Sequence, residues 1–61
     1  MDFINKKVEF LYKDSTNKRD LKYGNLLAFG IKNSFSSAII MENNTGKIYN
    51  VDVEDITRLE N

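Results

Sequence analysis

The chain has 61 residues, nine Lys/Arg balanced by nine Asp/Glu, and neither His nor Cys. That length makes one domain, and the missing residue types exclude disulfides and a zinc site built from nitrogen and sulfur ligands. No run approaches the roughly 20 apolar residues of a membrane-spanning helix, and Met1 to Lys7 lacks the apolar stretch of a signal peptide, so the expectation is a cytoplasmic protein with no membrane partner.

Folding at about this size buries only roughly 60% of the unfolded chain's surface, and such a core rarely gives a net stability above about 3–5 kcal/mol. The charges balance overall but not locally. Residues 1–22 carry a net +2 and residues 23–61 a net −2, a weak asymmetry beside the basic excess of most nucleic-acid binders.

Taken in chain order, the first element is "VEFLY", which alternates with Val8, Phe10 and Tyr12 on one face. "KDSTNKRDLKYG", Lys13 to Gly24, then reads as a long polar loop. "NLLAFGI" follows as a strand with Leu27, Phe29 and Ile31 on one face and Leu26, Ala28 and Gly30 on the other; Gly30 argues against a helix there. "NSFSS", Asn33 to Ser37, would close Ile31 against Ile39 and Phe29 against Met41. "AIIM" is the next strand. In "ENNTGKI", Asn43 to Gly46 reads as a type I turn with Gly46 at positive φ. That turn would pair Asn43 with Lys47, Met41 with Tyr49 and Ile39 with Val51. The expected interior is therefore Leu27, Phe29, Ile31, Ile39, Met41, Tyr49 and Val51, with Val8, Phe10 and Tyr12 closing over it. At the C-terminus, Val53, Ile56 and Leu59 suit either a short helix capped by Asp52 or a 3₁₀ turn at Val53–Ile56 followed by a strand at Thr57–Glu60. The second is preferred, because eight residues are marginal for a helix and a barrel needs a closing strand.

This order of elements resembles an SH3-like small barrel. "LYKDS" stands where SH3 domains carry their ALYDY strand end, "LKYGNLL" resembles the diverging turn, "TGKIYNV" the distal hairpin and "VEDI" the 3₁₀ turn. The resemblance implies an all-β fold: a single barrel of five strands over residues 1–61, with a long first loop and a 3₁₀ turn before the last strand. The alternative is four strands plus a short C-terminal helix. The chain lacks the Trp and Pro with which SH3 domains grip polyproline ligands. Only Tyr12 and Tyr49 stand near groove-like positions, so proline-peptide recognition is not carried over.

For function, the sequence offers no general base or thiolate, no glycine-rich phosphate loop and no defensible metal motif; Asp52, Glu54 and Asp55 read as an acidic solvated turn. A non-enzymatic module without cofactors is expected, acting through contacts with an unidentified protein partner as a bacterial or mobile-element accessory factor. Two surfaces are candidates. The outer sheet face would present Ala28, Ile40 and Ile48, with Phe35 as a separate exposed aromatic or a lid on one barrel end. The basic loop would present Lys13, Lys18, Arg19 and Lys22, with Tyr23 either stacking on a ligand or bracing the turn at Gly24. The alternatives are weak nucleic-acid binding through that loop, homo-oligomerisation through the sheet face, and a structural role in a larger assembly.

Overall fold

The structure, a computed structural model, describes residues 5–60. Five antiparallel strands follow one another: β1 (Lys7–Lys13), β2 (Arg19–Lys32), β3 (Phe35–Glu42), β4 (Ile48–Asp52) and β5 (Ile56–Glu60). A single 3₁₀ turn, Val53–Asp55, joins the last two strands. The order across the single sheet is β4-β3-β2-β1-β5, so the expected all-β fold of five strands with a 3₁₀ turn before the last is what the chain adopts. The C-terminal segment is thus 3₁₀ turn plus strand, and the helical alternative does not occur.

The sheet curls strongly. In a flat sheet, β1 and β4 would lie three strand spacings apart, about 14 Å. Instead, the Tyr49 ring of β4 lies 4.7 Å from Tyr12 and 5.7 Å from Phe10 of β1, centroid to centroid. The enclosed core is Val8, Phe10, Leu26, Ala38, Ile40, Tyr49 and Val51, with Tyr12 and Ile56 packed against it.

β2 makes this curl possible by changing partners midway. Arg19–Asn25 pairs with β1, and Gly24–Lys32 pairs with β3. The two ladders overlap at Gly24 and Asn25, where three backbones crowd together. A Cβ on Gly24 would collide with the Met41 carbonyl oxygen and lie 2.8 Å from Ile40 Cγ2. Just beyond, the register slips between Leu26 and Ala28, leaving Leu27 as the extra residue of a bulge. Because side chains alternate, that one residue inverts the faces of all that follow it.

Both expected registers therefore need correction. The β2–β3 connection is not Asn33 to Ser37. It is a tight turn at Asn33–Ser34, both at positive φ (51° and 68°), closing Lys32 on Phe35. Between β3 and β4, Gly46 does take positive φ (71°), but the loop is one residue longer than expected: Glu42, not Asn43, faces Lys47. Ile40 accordingly pairs with Tyr49 and Ala38 with Val51. Of the expected interior, Tyr49 and Val51 are in the core. Ile39 and Met41 point out, replaced inside by Ala38 and Ile40, and Leu27 gives way to Leu26. Phe29 and Ile31 keep the inner face, Phe29 opposite Ala38, yet both stay exposed.

The Lys13–Gly24 stretch is not a long loop either. β1 and β2 run as a hairpin from Lys7↔Asn25 to Lys13↔Arg19, leaving only Asp14–Lys18 as the turn. The Asp14 carboxylate accepts the N–H groups of Thr16 (2.8 Å) and Lys18 (3.1 Å) and the Thr16 hydroxyl (2.6 Å), while Asn17 takes φ 65°. These bonds, the Thr16 hydroxyl first, hold the Asp14 carboxyl below its ordinary range.

Two substitutions test this architecture by urea denaturation. Gly24→Ala should lower stability by roughly 1–3 kcal/mol, since the crowding atom is backbone and cannot step aside. Ser34→Gly should raise it by roughly 0.5–1 kcal/mol, because the left-handed backbone costs Ser about 1–2 kcal/mol, part of which glycine returns as chain entropy. A neutral Gly24→Ala would mean that the β2 crossover is misplaced.

Candidate functional site: an apolar cleft beside an open strand edge

The bulge at Leu27 has a second effect. Beyond Leu26, β2 leaves β1: the last contacts along this edge are Asn5 N–H to the Leu26 carbonyl (2.6 Å) and Leu26 N–H to the Lys6 carbonyl (2.9 Å). From Leu27 to Lys32, one edge of β2 has no ladder partner among the described residues. Below that edge the interior opens as a cleft of about 280 Å³, lined by Leu26, Phe29, Val53, Ile56 and Leu59. Among the described residues, only apolar side chains line it. Leu26, fully buried, is its floor, and Phe29, 53% exposed, is its wall. Ile31, next along on the same face, is 78% exposed. Large apolar side chains left open beside the core are what a binding surface presents.

At the other end of the interior the core is sealed by charge. Lys22 Nζ sits 3.5 Å from Glu42 Oε2, 5.9 Å from the centre of the Tyr12 ring and 5.6 Å from that of Tyr49. Lys47 Nζ lies 5.4 Å from the Tyr49 ring centre. Glu42 also accepts the Thr45 hydroxyl at 2.9 Å. That hydroxyl first, and Lys22 after it, hold the Glu42 carboxyl below its ordinary range against the opposing effect of burial. Burial alone would pull the Lys22 ammonium down, but Glu42, with Tyr49 and Asp20 adding, keeps it above its usual value. Tyr12 and Tyr49, the two groove-like positions, thus form a tilted, cation-capped aromatic pair.

The residues singled out from sequence are dispersed. Ile40 is fully buried in the core and cannot be an interface residue; its place on the outer face is taken by Ile39 and Met41, which pair with Ala28 and Ile48 respectively. Ile48 is exposed there and Ala28 half-buried. Phe35 is exposed beside the tight turn, at a recess shared with Ser36, Asp52, Val53 and Glu54. Among the loop candidates, Lys13 and Arg19 face each other at the end of the β1–β2 hairpin, and Lys18 lies in its turn. Lys22 points to the opposite face, toward Glu42. Tyr23 does not brace the turn at Gly24: it is exposed on the outer face, opposite Glu9. The five do not form one surface.

The cleft itself was missed, because strict alternation through "NLLAFGI" hides a bulge. The doubled Leu26-Leu27 was the available signal, since two large apolar residues in succession cannot both face one side of a regular strand. Among the described residues no cluster of His, Cys, Asp and Glu could hold a metal ion, and no helix is long and apolar enough to cross a membrane. Comparison with protein-family models, with curated proteins and with solved structures finds no match for this chain.

The Glu42 seal predicts a pH dependence. A carboxyl held low in the folded state contributes stability that is fully present above its unfolded value, about 4.3, and is lost as pH falls through the folded one. Unfolding free energy measured by denaturant titration should therefore drop as pH falls below about 4, with Asp14 contributing in the same direction. Glu42→Gln should make that drop shallower; an unchanged slope would mean that Glu42 is not held by Thr45 and Lys22 in solution.

Proposed function

We propose that this chain is a non-enzymatic protein-binding module that takes an extended strand onto the open edge of β2, over the apolar cleft. The supporting observation is that cleft: five apolar side chains, one a half-exposed phenylalanine, next to a stretch of backbone with no ladder partner among the described residues. Main-chain hydrogen bonds to an edge supply affinity in such strand addition, and pockets for alternate side chains supply specificity. The ligand chemistry that fits is an extended segment with apolar residues two apart, so that both enter the cleft face.

Nucleic-acid binding has less support. Lys22 is paired with Glu42, and the outer-face cations Lys7 and Arg58 stand directly opposite Glu60 and Glu9, which leaves Lys13, Lys18 and Arg19 at the end of the β1–β2 hairpin, next in sequence to Asp14 and Asp20, as its basis.

A photo-reactive benzoylphenylalanine at position 29 should cross-link an extended apolar segment of a protein, whereas the same group at Leu21, exposed on the outer face, should not. Phe29→Lys should abolish capture from an untagged competitor assay, and Ile48→Lys should leave it intact. Equal adducts from positions 21 and 29 would overturn the cleft as the binding site. Salt-sensitive binding of oligonucleotides that is indifferent to Phe29→Lys would favour nucleic acid instead.

A further inference from the structure

Among the described residues, several strand edges lack a ladder partner, and they differ in how they are protected. The end of β1 from Leu11 to Lys13 and the first half of β2 carry Lys13, Arg19, Asp20 and Lys22. β4 is short and flanked by Lys47 and Asp52. β5 carries Arg58 and Glu60, and its pairing with β1 is broken by an irregularity at Thr57. Short strands, charges and bulges are the devices that keep edges from pairing with other chains. Past its bulge at Leu27, the second half of β2 has no charge and no proline from Ala28 to Ile31: Ala28, Phe29, Gly30 and Ile31 are all uncharged.

This unguarded edge is also self-complementary. Set antiparallel to a second copy about a two-fold axis at Gly30, Phe29 falls opposite the partner's Ile31, and Ile31 opposite the partner's Phe29. Paired residues share a face, so all four of these exposed side chains would cover the two clefts in one event. Gly30, at the axis, puts no side chain between the strands. The same patch meets itself, as a closed two-fold interface requires.

We propose that the strand taken by this edge is that of a second copy of the chain, in the register Phe29 to Ile31 and Gly30 to Gly30; this rests on the cleft being a strand-docking site. The pairing joins two five-stranded sheets through β2 and adds apolar burial to a core that, among the described residues, has seven buried hydrophobic side chains.

The absence of native cysteine allows a direct test. A Cβ at Gly30 would meet only Ser37 Oγ at 3.5 Å and Ile39 Cδ1 at 3.9 Å, ordinary contacts, so Gly30→Cys should fold. Directly opposed residues of an antiparallel pair have Cα atoms about 4.5–5.5 Å apart, within the range a disulfide spans. Mild oxidation should therefore convert Gly30→Cys to a covalent dimer, while Ile48→Cys, on β4, stays monomeric. Sedimentation equilibrium of the unmodified protein should show mass rising toward twice that of the chain with concentration. Ile31→Lys, at a 78% exposed position where folding is not at risk, should weaken that association at least about tenfold, because each interface would bury two lysines. A single-chain mass up to millimolar concentration overturns the dimer; if benzoylphenylalanine at position 29 still captures another protein, the cleft remains a docking site for that partner. A dimer untouched by Ile31→Lys, with no Gly30→Cys disulfide, places self-association elsewhere and overturns the register. Nuclear Overhauser contacts from residues 1–4 to Phe29 within a monomer would assign the cleft to the chain's own N-terminal segment and overturn both proposals.

Discussion

Everything in this fold depends on β2 serving two ladders of one sheet. Its first half pairs with β1, its second half with β3, and the change is made within a few residues. Gly24 permits it by carrying no side chain where three backbones converge. The extra residue at Leu27 then turns the strand and inverts its faces. Leu26 enters the core opposite Ile40, and Phe29 keeps to the inner face opposite Ala38 but past the point where β1 can cover it. One backbone irregularity thus closes the core on one side and opens it on the other.

That division sets the character of the two ends of the interior. Where β1, β2, β3 and β4 converge, Tyr12 and Tyr49 pack at a steep tilt beneath Lys22 and Glu42, and the charged groups are hydrogen-bonded or paired as burial demands. Where β2 departs from β1, the described residues around Leu26 are the apolar rim of Phe29, Val53, Ile56 and Leu59. A chain this short has little stability to give away, and exposed phenylalanine and isoleucine beside the core represent burial not realised in the isolated molecule. Strand addition, on the proposed reading, would realise it.

The sequence disclosed the fold class more readily than the faces. Val8, Phe10 and Tyr12 alternate without interruption, and β1 is as expected. "VEDI" gave the 3₁₀ turn and the strand after it. Positive φ at Gly46 was legible from residue type, but whether the loop encloses three residues or four was not, and that single residue decides whether Met41 or Ile40 faces Tyr49. β3 could not arbitrate, because Ala38, Ile39, Ile40 and Met41 are apolar on both faces. The polar run after Tyr12 looked like a loop because β2's first half presents Asp20, Lys22 and Arg19 to solvent or to ion pairs; its pairing with β1 is a tertiary fact that propensity does not carry. The outer-face patch was foreseen in kind and misassigned in membership, with Ile39 and Met41 in place of Ile40. For the cleft, the doubled Leu26-Leu27 signalled a bulge but not the open edge, since an edge is open only by virtue of where another strand stops.

The most direct test of this account is the cross-strand contact pattern of β3 in solution. Nuclear Overhauser spectra of the labelled protein should place Ile40 against both Leu26 and Tyr49, and Phe29 against Ala38, with Leu27 giving no opposed partner. Contacts from Met41 to Tyr49 and from Ile39 to Val51 would instead establish the unbulged, three-residue-loop register. Ile40 would then be outside, and the cleft described here would not exist.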